Sequence, residues 1–118
     1  MRHGKKDKKF SRRRLGQRRS FLRNLAGQLI EHERIETTVA RARVLRPRVE
    51  KMITLAKKQT IASLRLLMAR LPKDAATKLY YEVSKRYGGR TGGYLRIIKG
   101  AHSRKRDGAE MALIEFVK

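Results

Sequence analysis

Catalysis would require a nucleophile, an acid/base couple or a metal site, and the 118 residues of this chain offer little toward any of them. There is no cysteine, which removes disulfides, thiolate zinc sites and thiol nucleophiles together. The histidines His3, His32 and His102 are scattered and lack the clustered spacing of metal ligands. Glu31, Glu33 and Glu36 lie close together, but beside a helix end they read as partners for arginines rather than as an acid/base pair. No Walker loop and no Ser or Thr beside a base is present. The residue types thus argue against an enzyme, and against a cofactor, a metal or a small-molecule substrate.

The chemistry that remains is cationic. Thirty-two Lys and Arg stand against ten Asp and Glu, a formal net charge of +22. The sequence pI of 11.5 lies well above the value of about 9 that marks nucleic-acid binders. Such a charge repels itself in the free protein, so the expected partner is a polyanion that neutralises it. The charge is uneven along the chain. The first 23 residues hold eleven basic residues and one acid, and residues 90–106 hold six basic residues and none. Candidate contacts in the first stretch are Arg2, His3, Lys5, Lys6, Lys8, Lys9, Arg12, Arg13, Arg14, Arg18, Arg19 and Arg23. In the second they are Arg90, Arg96, Lys99, Arg104, Lys105 and Arg106. Phe10, alone in the cationic start, and Tyr94 are aromatics able to stack on unpaired bases, although Tyr94 suits a core position equally well. The basic residues between these stretches read mostly as a solvated face.

A chain of this length forms one domain. Residues 1–14 contain too little apolar surface to offset the entropy of ordering, about 1–2 kcal/mol per residue for the backbone, so they read as an arm that is disordered when free. Extended, fourteen residues reach on the order of 50 Å, enough to thread between folded nucleic-acid helices. Residues 15–118 read as a single α/β RNA-binding domain. No apolar run approaches the roughly 18 residues of a membrane span, and charges break up the region where a signal peptide needs its apolar run. A soluble, cytoplasmic chain with no membrane partner is expected. An acid-poor, Arg-rich start also suits an organellar transit peptide in composition.

Helical periodicity predicts a helix from Leu15 to His32, and the alternating, β-branched Ile35–Thr38 predicts a strand ending where Thr38 caps the next helix. That helix spans Val39–Lys57, with a kink or a split expected at Pro47. A third runs over Ile61–Leu71 to Pro72. A fourth, capped by Asp74, covers Ala75–Tyr87 and stops at Gly88-Gly89. Gly92-Gly93 reads as a flexible entry to the next strand. Tyr94–Lys99 and Met111–Val117 form an antiparallel hairpin whose connection, residues 100–110, reads as a basic finger.

In their order these blocks resemble the bacterial large-subunit ribosomal protein L17 family. The likeness is carried by Met1-Arg2-His3, by LRNLAGQLIEHERIETT at Leu22–Thr38, by RARVLRPRVEKMITLAK at Arg41–Lys57, by GGYLRI at Gly92–Ile97 and by DGAEMALIEFV at Asp107–Val117. The resemblance implies an α+β, two-layer domain in the order helix, strand, three helices, two strands, with a small mixed sheet that the early strand joins. It also implies a structural constituent of the large subunit that binds 23S rRNA near the polypeptide exit tunnel, beside other large-subunit proteins. Arg2, His3, Arg18, Arg19, Arg23 and Arg96 inherit that expectation best, and the Met-Arg-His start speaks against a presequence. Two other classes stay in view. A nucleoid-type DNA-binding protein shares the charge but needs a groove-reading element, and an RNA-processing enzyme needs a constellation that the residues do not offer.

Overall fold

A computed structural model describes residues 14–118. Helix α1 spans Leu15–His32, strand β1 Arg34–Thr38, helix α2 Val39–Ala56 and helix α3 Ile61–Arg70. Helix α4 starts as Lys73–Lys78, widens through one π-helical stretch at Leu79–Val83 and ends in Ser84–Arg86. Strands β2, Leu95–Ser103, and β3, Glu110–Phe116, complete the chain in the expected α+β order.

The three strands lie in the order β1-β3-β2. Both pairings are antiparallel, so the expected mixed sheet is corrected to a purely antiparallel one. The reason is connectivity: β3 follows β2 through a tight turn, and α2, α3 and α4 return the chain so that β3 runs against β1 as well. Ala112, Ile114 and Phe116 point to one face and are buried, as alternation requires. The helices cover that face, α2 touching all three strands. A single core results, built from Leu29, Ile30, Leu45, Val49, Ile53, Leu67, Leu79, Val83 and Ile114, all fully buried.

Thr38 caps α2, its Oγ1 accepting from the Arg41 backbone N–H at 3.3 Å. The helix then continues through Pro47 without dividing, so the alternative of two helices is overturned. An interior proline costs about 3 kcal/mol. Leu45, Val49 and Ile53 are each fully buried on the opposite side, at about 1.5–3 kcal/mol apiece, and that face outweighs the lost bond. Pro47 itself is exposed.

Asp74 does not cap α4. Pro72 holds the N-cap position, and Asp74 lies in the first turn, where its charge still suits the helix dipole. Gly27 lets α1 approach that junction, since a Cβ there would sit 2.9 Å from Pro72 Cγ. The hairpin is longer than expected. Residues 100–103 belong to β2, with an irregular register between Lys99 and Ser103, and the connection shrinks to 104–109.

Candidate nucleic-acid interface

The elements place three of the expected contacts together. Arg18, Arg19 and Arg23 project from α1 beside the buried stripe Leu22, Ala26, Leu29 and Ile30. On α2 the core face is Ala42, Leu45, Val49, Ile53 and Ala56. Positions 43, 47 and 51, and positions 44, 48 and 52, therefore form two neighbouring columns off that face. Packing α1 against α2 turns these columns toward the arginines of α1, and the end of α3 adds Ala69 and Arg70.

The result is a half-open cleft of about 1090 Å³. Its walls carry six arginines and one lysine: Arg18, Arg19 and Arg23 from α1, Arg43, Arg48 and Lys51 from α2, and Arg70 from α3. Leu22, Val44, Pro47 and Met52 supply apolar lining, and among the described residues no carboxylate lines it. Among the described residues none of these seven cations has an acidic group within 4.0 Å, in contrast to Arg34, Arg46, Lys78, Arg86, Arg96 and Arg104. Arg23 is positioned by its Nη2, which donates to the Leu71 carbonyl at 3.1 Å and so satisfies an end of α3.

The remaining expected contacts are dispersed. Arg14 is exposed at the entrance to α1. Arg90 lies in the loop after α4; its Nε donates to the Gly92 carbonyl at 3.1 Å, and its own carbonyl accepts from Lys57 Nζ and the Tyr94 hydroxyl. Arg96 pairs with Glu115 at 2.9 Å on the open face of the sheet, with Arg34 approaching the same carboxylate at 3.8 Å. Lys99 is exposed at the middle of β2, and Lys105 and Arg106 are exposed on the hairpin turn. Arg104 is engaged within that turn, its Nε and Nη2 donating to the two Asp107 oxygens at 2.9 and 2.5 Å. That fork holds the Asp107 carboxyl well below its usual range. Arg2, His3, Lys5, Lys6, Lys8, Lys9, Phe10, Arg12 and Arg13, with the expected disorder of the arm, lie outside the described residues.

Tyr94 is resolved in favour of the core. At 1% exposure its ring cannot stack on a base; it packs at 5.2 Å from Tyr87, and Lys57 Nζ donates to its hydroxyl at 3.0 Å. Glu33 is an ion-pair residue, 2.7 Å from Arg86 and 3.5 Å from Lys78. His102 lies 3.2 Å from Glu36.

Arg43, Arg48, Lys51 and Arg70 are among the basic residues that the sequence assigns to a solvated face. Their signal was present in part, as the non-core columns of α2 carry cations at positions 43, 48 and 51, but which helix those columns would face is a tertiary fact.

The family model described as Ribosomal protein L17 matches residues 21–117. The large ribosomal subunit protein bL17 of Persephonella marina is 52% identical, covering 100% of this chain and 96% of its own length. The bL17 proteins of a Hydrogenobaculum species and of Erythrobacter litoralis are 47% and 46% identical, covering 100% and 99% of this chain and 100% and 83% of theirs. A family model matching residues 21–117 and likeness along the full chain lead to one assignment: the chain belongs to the ribosomal protein L17 family, a family of structural, non-catalytic ribosomal proteins.

Proposed function

We propose that this protein is a structural constituent of the large ribosomal subunit that binds 23S rRNA and stabilises its fold near the polypeptide exit tunnel, beside other large-subunit proteins. The carrying observation is the cleft lined, among the described residues, by seven cations and no carboxylate. Like charges held together cost free energy until an anion of high charge density enters, and a folded RNA backbone supplies it. The arm contacts Arg2, His3, Lys5, Lys6, Lys8, Lys9, Phe10, Arg12, Arg13 and Arg14 extend this surface along the RNA. Arg90, Arg96, Lys99, Lys105 and Arg106 contribute a second, more dispersed set. In this reading the protein positions RNA segments by neutralising phosphates that folding brings close.

Co-sedimentation tests it. The purified protein is expected to travel with the large subunit and to leave it only at high salt. For about 6–10 phosphate contacts, affinity falls by roughly 10³–10⁵ between 50 and 200 mM salt on the duplex-DNA calibration. Salt-insensitive binding, or preference for duplex DNA over large-subunit rRNA in competition, contradicts the reading.

A further inference from the structure

Building on the RNA-binding reading, we infer that the cleft between α1, α2 and the end of α3 is a preformed seat for RNA phosphodiesters that recognises backbone and not base sequence. This assigns RNA contact to Arg43, Arg48, Lys51 and Arg70 in addition to the three arginines of α1.

Three observations carry it. The side chains come from three helices whose opposite faces are locked in the core, so the spacing of the backbone positions that carry them is set before any ligand arrives. Among the described residues the lining contains no aromatic ring and no Asn or Gln, so it lacks aromatic stacking platforms and the amides that read adenine edges, and base contact is left to its guanidinium groups and Ser20. What it does contain, six guanidinium groups beside the apolar side chains of Leu22, Val44, Pro47 and Met52, matches the flat, bidentate recognition of phosphate oxygens. The volume of about 1090 Å³ lies at the upper end of the range of about 300–1,000 Å³ typical of small-molecule sites. A half-open trough of that size fits a length of chain rather than a single anion.

An unopposed cluster has a second consequence. Phosphate-binding charge that is not needed for folding destabilises the free protein, so neutralising it moves RNA affinity and folding stability in opposite directions. A cluster serving the fold moves both downward.

The test uses the full chain carrying Arg43→Gln, Arg48→Gln, Lys51→Gln and Arg70→Gln together. Glutamine is a good helix former, so all three helices are preserved. Binding to large-subunit rRNA is titrated against KCl, and melting of the free protein is followed at low salt. The slope of log K against log salt is expected to become shallower by about 3, at about 0.7–0.9 for each lost contact. The affinity loss should be equal across RNA fragments of different sequence, and the free variant should melt at a higher temperature than the parent. A variant with Lys at positions 43, 48 and 70 should keep the parental slope, and Lys85→Gln with Lys118→Gln, outside the cleft, should remove none of the cleft's share. An unchanged slope in the glutamine variant, a loss confined to one sequence, a lowered melting temperature, or displacement of RNA by polyglutamate of equal charge overturns the inference. Failure of the parent protein itself to bind rRNA overturns instead the reading on which it rests.

Discussion

Gln59 Nε2 donates to the Tyr80 carbonyl at 2.9 Å, across the point where α4 opens into its π-helical stretch. The same amide donates to the Ala56 carbonyl at 2.8 Å and lies 3.0 Å from Ser84 Oγ, which itself donates to Tyr80 O at 2.7 Å. One side chain at the end of α2 thus closes that helix and supplies a donor to a widened turn 21 residues later. Gln59 does this from a left-handed backbone, φ +53°.

Gln59→Ala should therefore cost about 1–2 kcal/mol, at about 0.5–1.5 for each net hydrogen bond. Gln59→Gly loses the same bonds but relieves the left-handed strain of about 1–2 kcal/mol, so it should be the more stable of the two. Urea unfolding of both variants ranks them. Equal stability, or glycine below alanine, contradicts the account.

Glu33 ends α1, also in a left-handed conformation, and its carboxylate joins α1 to α4. The hydrogen bond from Arg86 is the main reason its pKa falls below 4.5. A carboxylate with a depressed folded-state pKa stabilises fully above its unfolded value, and that stability is lost as pH falls through the folded-state value. Because the pair is partly exposed, Glu33→Gln should cost only about 0.5–1 kcal/mol at pH 7. The difference from the parent should shrink below pH 4.5 and vanish under acid, as read from melting temperatures across that range.

Asp107 occupies Arg104 in the hairpin turn and accepts from the Ala109 N–H at 3.2 Å. Asp107→Asn should loosen the turn, seen as faster hydrogen exchange at the Gly108 and Ala109 amides. It also releases Arg104 toward RNA, so the salt slope should steepen by up to about one unit. A slope that stays put would mean that Arg104 serves the turn alone.

Gly27→Ala places a methyl group 2.9 Å from the Pro72 ring. In an open helix this change gains about 1 kcal/mol of propensity. Overpacking at the α1–α4 junction costs about 1–3 kcal/mol, so a net loss is expected, read as a lower denaturant midpoint. A raised midpoint would show that the junction yields.

Much of the fold was legible because it rests on local rules. Leu22, Leu29 and Ile30 recur at helical spacing, Thr38 supplies an oxygen to an exposed N–H, and Ala112, Ile114 and Phe116 alternate. Each signal is complete within a few residues. Where locality failed, a distant group decided. Of the kink or split expected at Pro47, the split did not occur, because burial of Leu45, Val49 and Ile53 against other elements held α2 together. Residues 100–103 resembled a loop, yet β3 was available to pair with them as strand.

The amino-acid order by itself determined the element sequence, the family likeness and the polyanion partner class, because periodicity, capping and net charge are properties of the chain. Only the tertiary structure decided which cations stand unopposed. Arg96 and Arg104 received carboxylates from neighbouring strand and turn residues, whereas Arg43, Arg48, Lys51 and Arg70 were turned onto the arginines of α1. Electrostatic energy depends on distance through space, and packing alone fixes that distance.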